Sequence, residues 1–172
     1  MHLNIEIKAR CQHQEAIREL LLERDADFRG TDDQIDTYFV VPNGRLKLRE
    51  GNIENNLIHY QRPDQAGPKA SEVHLYKPAD SSSLSALLQA ALGVKVVVDK
   101  QREIYFLDNV KFHLDTVKEL GTFVEIEAID ANGSIGAERL HEQCQHYLRL
   151  FAIADEDLLQ NSYSDMLLEK VG

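Results

Sequence analysis

The chain has 172 residues, enough for one hydrophobic core and few for two, so a single domain over residues 1–172 is expected. Its formal charge of −10 argues against nucleic acid and anionic membranes as partners, because a net acidic surface repels both. No run has the length of a membrane span, and Met1 to Arg10 lacks the apolar core and small-residue cleavage site of a signal peptide. Two cysteines, Cys11 and Cys144, without a CxxC pair fit a reducing cytoplasm better than a disulfide scaffold or a zinc site.

In chain order, Leu3 to Arg10 alternates apolar and polar residues and predicts a strand. Gln14 to Arg24 spaces Ile17, Leu20 and Leu21 against Glu15, Glu19 and Glu23, the pattern of an amphipathic helix. Thr37 to Val41 and Arg45 to Arg49 read as strands joined by Pro42-Asn43-Gly44, a hairpin turn. Asn56 to Arg62 and Glu72 to Lys77 are strand-like through β-branched and aromatic content, with a loop from Arg62 to Lys69 between them. Ser83 to Leu92 reads as a short helix ending at Gly93, with Ser81 and Ser82 leading into its cap. Val94 to Phe106, Val110 to Val117 and Phe123 to Ile129 complete eight predicted strands. After a turn at Ala131 to Gly133, Ile135 to Leu150 predicts a helix, and Met166 to Lys170 a final turn. The class is α+β, dominated by β.

Side chains alternate across a strand, so the charged residues fall on shared faces. Asn4, Glu6, Lys8 and Arg10 oppose Leu3, Ile5, Ile7 and Ala9; Arg45, Lys47 and Arg49 oppose Leu46 and Leu48. Lys100 and Arg102 share a face, as do Lys111, His113 and Asp115, and Glu125 and Glu127. The ordinary reading of any one such strand is polar face to water, apolar face to core. Two features favour the reverse. The acids concentrate on helices and tail (Glu15, Glu19, Glu23, Glu138, Glu142, Asp155, Glu156, Asp157), whereas the strands carry unmixed cations such as Arg45, Lys47 and Arg49. Like charges side by side are costly unless an anion lies among them. Burying so many apolar faces also needs a large second layer, which helices outside a barrel would provide. The charged faces then surround a lumen holding a polyanion. Glu6, Asp115, Glu125 and Glu127 are hard oxygen ligands of the type that suits Mg²⁺ or Mn²⁺, and Mg²⁺ is commonly shared between carboxylates and substrate phosphate.

The same residues carry a likeness. Asn4-Ile5-Glu6-Ile7-Lys8 resembles the ExExK signature of the CYTH, or triphosphate tunnel, superfamily. Asp36-Thr37-Tyr38-Phe39, Arg45 to Arg49, Tyr60-Gln61-Arg62-Pro63-Asp64, Lys100-Gln101-Arg102, His113 to Val117, Leu120-Gly121, Phe123 to Glu127 and Asn161 to Leu167 follow in the order of its class IV adenylyl cyclase branch. The resemblance implies an eight-stranded antiparallel tunnel with helices packed outside. It implies phosphate grip by Lys8, Lys47, Arg49, Arg62, Lys77, Lys100 and Arg102, and metal at Glu6, Asp115, Glu125 and Glu127. Glu6, Lys8, Asp115 and Glu125 are the expected catalytic set, Mg²⁺ or Mn²⁺ the cofactor, a small triphosphate such as ATP the ligand, and a homodimer the suggested assembly. The reaction implied is ATP to cyclic AMP and pyrophosphate. A triphosphatase acting on tripolyphosphate, a nucleoside triphosphate or thiamine triphosphate would use the same cage. Asn4 departs from the pattern: an amide oxygen stands where the first glutamate of ExExK is expected, which also leaves open a triphosphate binder with little catalysis.

Other polar residues draw plainer expectations. His113 is as well suited to hydrogen bonding Asp115 as to touching a ligand. Tyr38 and Tyr60 are expected to fill barrel wall, Ser162, Tyr163 and Ser164 to pack or cap the C-terminal segment, and both cysteines to be packing residues.

Overall fold

The computed structural model describes residues 2–61 and 65–171. The strands are β1 (His2–Arg10), β2 (Asp27–Phe39), β3 (Arg45–Glu50), β4 (Asn55–Gln61), β5 (Lys69–Tyr76), β6 (Val94–Leu107), β7 (Val110–Val117) and β8 (Gly121–Asp130). The helices are α1 (Gln14–Glu23), α2 (Ser81–Leu92), α3 (Ala137–Leu150) and α4 (Tyr163–Val171). The eight strands close into an antiparallel barrel in the order β1-β5-β4-β3-β2-β6-β7-β8. Closure leaves no unpaired strand edge.

The apolar faces of β1, β7 and β8 point outward. Ile5, Ile7 and Ala9 of β1, Phe112 and Leu114 of β7, and Val124, Ile126 and Ala128 of β8 form one buried cluster with Ile17 and Leu21 of α1 and Leu140 and Cys144 of α3. Each large aliphatic or aromatic chain buried there contributes roughly 1.5–3 kcal/mol. This outer core, rather than the barrel interior, supplies most of the apolar burial on that side, and it frees the inward faces to be charged. Cys11 and Cys144 are buried thiols of this layer, as expected.

Several boundaries differ from the sequence reading. β2 begins at Asp27, ten residues before Thr37. The added stretch lacks an apolar alternation because its inward residues, Asp32, Gln34 and Asp36, are themselves polar and buried. β5 begins at Lys69, inside the stretch expected as loop, and ends at Tyr76. The N-cap of α2 is Asp80, whose carboxylate accepts from the Ser82 and Ser83 N–H groups, so the serines form the first turn. The helices also divide in role. α1 and α3 cover the barrel wall, whereas α4 lies at one end of the lumen: Tyr163 and Ser162 line the cavity, and Leu159 N–H donates to the Lys8 carbonyl at 3.0 Å.

Candidate functional site

The barrel encloses a cavity of about 260 Å³, close to the lower limit of about 300 Å³ for small-molecule sites. Its deep part is the most ordered electrostatically. Arg102 of β6 forks onto Asp115 of β7, Nε and Nη2 each donating at 2.7 Å, and Nη2 also reaches Glu125 of β8 at 3.2 Å. The β6–β7 register sets Arg102 directly opposite Asp115. Tyr163 of α4 donates its hydroxyl to Asp115 at 2.7 Å. Lys8 Nζ stands 3.7 Å from Glu125 and 3.8 Å from the centre of the Tyr163 ring. Burial alone would raise both carboxyls, but Lys8 and Arg102 hold Glu125 well below the usual carboxylate range, and Arg102 lowers Asp115. Burial lowers Lys8, against the pull of Glu125.

A second cluster surrounds Asp36 of β2. Arg49 donates Nε and Nη2 to its two oxygens at 2.9 Å each, Lys100 donates at 2.6 Å, and Lys47 lies 3.6 Å away. Three cations on one carboxylate leave a local surplus of positive charge. Burial opposes the ionised Asp36, yet Arg49, Lys100 and Lys47 hold its carboxyl well below the ordinary range. Burial drives Lys100 the other way, down to about 7, with Asp36 resisting. Here the charge argument from sequence needs correction: the lumen cations are not unmixed. Lys47, Arg49 and Lys100 share Asp36, Arg102 and Lys8 have Glu125, and Lys111 pairs with Glu54. Asp36 lies one residue before the strand predicted from Thr37, and Glu54 in the β3–β4 turn.

Toward the other end lie acids that are only half-buried. Glu6 of β1 sits opposite Glu127 of β8 in the strand register. Asn4 donates Nδ2 to Glu127 Oε1 at 2.7 Å. A carboxylate only accepts, so this bond fixes the amide and turns Asn4 Oδ1 away from Glu127. That oxygen is buried and makes no hydrogen bond among the described residues. A buried carbonyl-type oxygen without a donor, beside two carboxylates, is a donor set that suits a hard divalent cation.

Most predicted site residues therefore meet in one lumen: Glu6, Lys8, Lys47, Arg49, Lys100 and Arg102 line it, with Glu125 and Glu127. Asp115 is fully buried behind Arg102 and Tyr163 and is reached through them. Lys77 is the exception. It lies past the end of β5 and is exposed; the buried lysine of that strand is Lys69, whose Nζ donates to the Gln160 carbonyl. Arg62 lies outside the described residues. Tyr38 and Tyr60 are buried in the barrel wall with Ile58, Val73 and Val98, as expected, and they also line the lumen, their hydroxyls 3.3 Å apart. His113 faces Glu125 rather than bonding Asp115, with Nδ1 3.6 Å from Glu125 Oε2 and neither ring nitrogen hydrogen-bonded. Burial and Arg102 lower its pKa and favour the neutral ring. With Asp115 and Glu125 it forms a compact set, one donor atom from each lying within 4.8 Å of the others. Ser162 caps α4, accepting from Asp165 N–H at 3.2 Å, as expected; Tyr163, expected only to pack, also enters the lumen.

The CYTH domain family matches residues 2–163. The chain belongs to the CYTH family. Among relatives of this CYTH protein is "Putative adenylate cyclase MJ0240" of Methanocaldococcus jannaschii, 26% identical over 148 residues that cover 83% of this chain and 75% of the relative. The PH1012 protein of Pyrococcus horikoshii superposes with a TM-score of 0.79 at 26% identity, covering 96% of this chain and 98% of its own. HpAC1 of Hippeastrum, a "putative adenylyl cyclase" with "a dominant triphosphatase activity", shares the fold at a TM-score of 0.62 and 15% identity, covering 100% of this chain and 96% of its own. Proteins similar to this chain in sequence or in fold thus carry names for both chemistries. No helix among the described residues is long and apolar enough to cross a membrane.

Proposed function

We propose that the lumen binds a nucleoside triphosphate with Mg²⁺ or Mn²⁺ and converts ATP to cyclic AMP and pyrophosphate. The observation that carries the reading is the division of the lumen wall between two sets of residues. Lys47, Arg49 and Lys100, from β3 and β6, gather around Asp36 of β2, while Asn4, Glu6 and Glu127 lie on the paired strands β1 and β8. With Ser162 and Tyr163 at one end, a triphosphate enters tail first. Lys47, Arg49 and Lys100 bind its outer phosphoryl groups, and its α-phosphoryl group comes to rest beside Glu6 and Glu127.

Asn4, Glu6 and Glu127 would hold the divalent ion, which, when bound, supplies positive charge to phosphate oxygens and acidifies a nearby hydroxyl. The chain's own residues do the rest. Arg49 and Lys100 exchange part of their contact with Asp36 for phosphate oxygens and stabilise charge that builds on the leaving pyrophosphate. Lys8, at the level of Glu125 in the β1–β8 register, neutralises a bridging oxygen. Tyr38 and Tyr60 exclude water from the phosphate chain, so that the ribose 3′-hydroxyl competes with hydrolysis.

The second reading is a triphosphatase, and one observation favours it: the deep set His113, Asp115 and Glu125. A cation held there would act near the terminal phosphorus. Arg102 already occupies both Asp115 oxygens at 2.7 Å, which makes the shallower acids the better site. Product analysis decides: cyclic AMP and pyrophosphate support the cyclase, ADP and phosphate the triphosphatase, and tight binding without turnover a binder limited by Asn4.

A further inference from the structure

Glu54 was no part of the sequence-derived site, and its position in the lumen is built rather than incidental. It lies in the turn between β3 and β4, next to Asn55, the first residue of β4. Buried Asp32 clamps that turn: its carboxylate accepts from the N–H groups of Ile53 and Glu54 at 2.9 Å each and from Gln34 Nε2 at 2.8 Å. Asn52 ties the turn to β2 from the outside, accepting from Asp33 N–H at 2.7 Å. Gly51 makes the approach possible, since a Cβ there would lie 2.5 Å from Asp32 Oδ1. The clamped turn projects the Glu54 side chain inward. Its Oε1 accepts from Arg49 at 3.3 Å and Gln34 at 3.1 Å, and its Oε2 pairs with Lys111. Arg49 and Lys111 belong to β3 and β7, which are not neighbours in the barrel. The carboxylate therefore bridges the lumen from wall to wall, in a setting of two cations and an amide that equally suits a phosphoryl group.

We propose that Glu54 is a built-in anion that sets the length of polyphosphate the tunnel accepts, by occupying the Lys111 position beside Arg49 against a further phosphoryl group. The inference rests on the triphosphate reading of the lumen. A surface carboxylate would swing aside for a competing anion; this one is held by a turn with four hydrogen bonds to β2 residues or their side chains. Its charge also faces inward, where screening by salt is weak. Three phosphoryl groups held by Lys47, Arg49 and Lys100 would leave the Glu54 carboxylate on Lys111, and a fourth would meet it there. Lys111, which has no other ion pair among the described residues, is thereby kept from extending the site.

The test is calorimetric titration of the full chain and of Glu54→Gln with sodium tripolyphosphate and sodium tetrapolyphosphate, with metal chelated so that turnover does not intrude. The native protein should prefer tripolyphosphate. Glu54→Gln should raise affinity for tetrapolyphosphate relative to tripolyphosphate about tenfold or more, the scale of removing one like charge at contact distance inside a protein. Equal gains for both lengths, or no change, overturn the proposal. If Glu54→Gln does not fold, Glu54→Asp keeps the charge but withdraws it from Lys111. It should move the ratio the same way by less, and an unmoved ratio overturns the proposal equally. Failure of the native protein to bind either chain would remove the triphosphate reading itself and this inference with it, an outcome distinct from unselective binding, which removes only the inference.

Discussion

The two parts of the lumen solve the problem of buried charge differently. In the deep part the carboxylates are locked: Arg102, Asp115, Glu125 and Tyr163 form a network at 2.7 to 3.2 Å, with only the His113 ring beside them left without a hydrogen bond among the described residues. Around Asp36 and at Asn4 the balance is incomplete, with three cations on one carboxylate and one amide oxygen, Asn4 Oδ1, lacking a donor among the described residues. Complete networks stabilise a fold and resist exchange, whereas incomplete ones are where a ligand gains most by binding. The deep part thus reads as framework and the rest as the place where substrate and metal complete the charge.

Breaking the framework should have the largest effect. Arg102→Met leaves Asp115 and Glu125 buried without their principal partner and should cost about 3–5 kcal/mol in urea denaturation. Both carboxyls lie below their unfolded values, so the stability they contribute is complete above the unfolded carboxylate pKa of about 4 and is lost as pH falls through the folded values. In Arg102→Met the stability lost should be greatest near neutral pH and shrink as pH falls, flattening the acid limb; an unchanged acid limb would count against the framework role.

Changes to the incomplete part should alter binding more than stability. Lys100 titrates near 7 in the free protein, below its unfolded value of about 10.4. Its burial therefore costs stability below pH 7, and that cost is relieved as pH rises from 7 toward the unfolded value. Anion binding favours the charged form, so triphosphate affinity should be greatest below pH 7 and fall on raising pH to 9. Lys100→Arg, which stays charged, should flatten that fall when both are followed by calorimetry. Next in size, Asn4→Glu adds a charge beside Glu127 and should tighten Mn²⁺ binding severalfold, on the order of 1 kcal/mol, while lowering the melting temperature of the metal-free protein. The smallest effect belongs to Lys77→Ala. The side chain is exposed beyond β5, and triphosphate affinity should stay within about twofold, as for surface substitutions generally.

The same division marks how far the sequence could be read. The inward cations and outward apolar faces were legible because strict alternation over β1, β3, β7 and β8 separates them residue by residue. Their pairing partners were not. Asp36 and Asp32 lie on a stretch of β2 where both faces are polar, so no period distinguishes strand from loop. Glu54 acts from a turn, and its inward aim depends on Asp32 some twenty residues earlier. Tyr163 reaches the lumen only because α4 folds back onto the end of the barrel, a long-range contact with no local signal. Lys77 shows the opposite error: it has the parity of Val73 and Leu75, which face the lumen, but β5 ends one residue too soon to carry it inside.

The most direct test of the central claim is to resolve the products formed when the full chain is incubated with ATP and Mn²⁺ or Mg²⁺ between neutral and alkaline pH. Attack at the α-phosphorus, directed by the acids of β1 and β8 rather than the cation cluster around Asp36, predicts cyclic AMP and pyrophosphate in equal amounts, lost in Glu6→Gln. ADP and phosphate without cyclic AMP would contradict it and move the working metal to the deep acids.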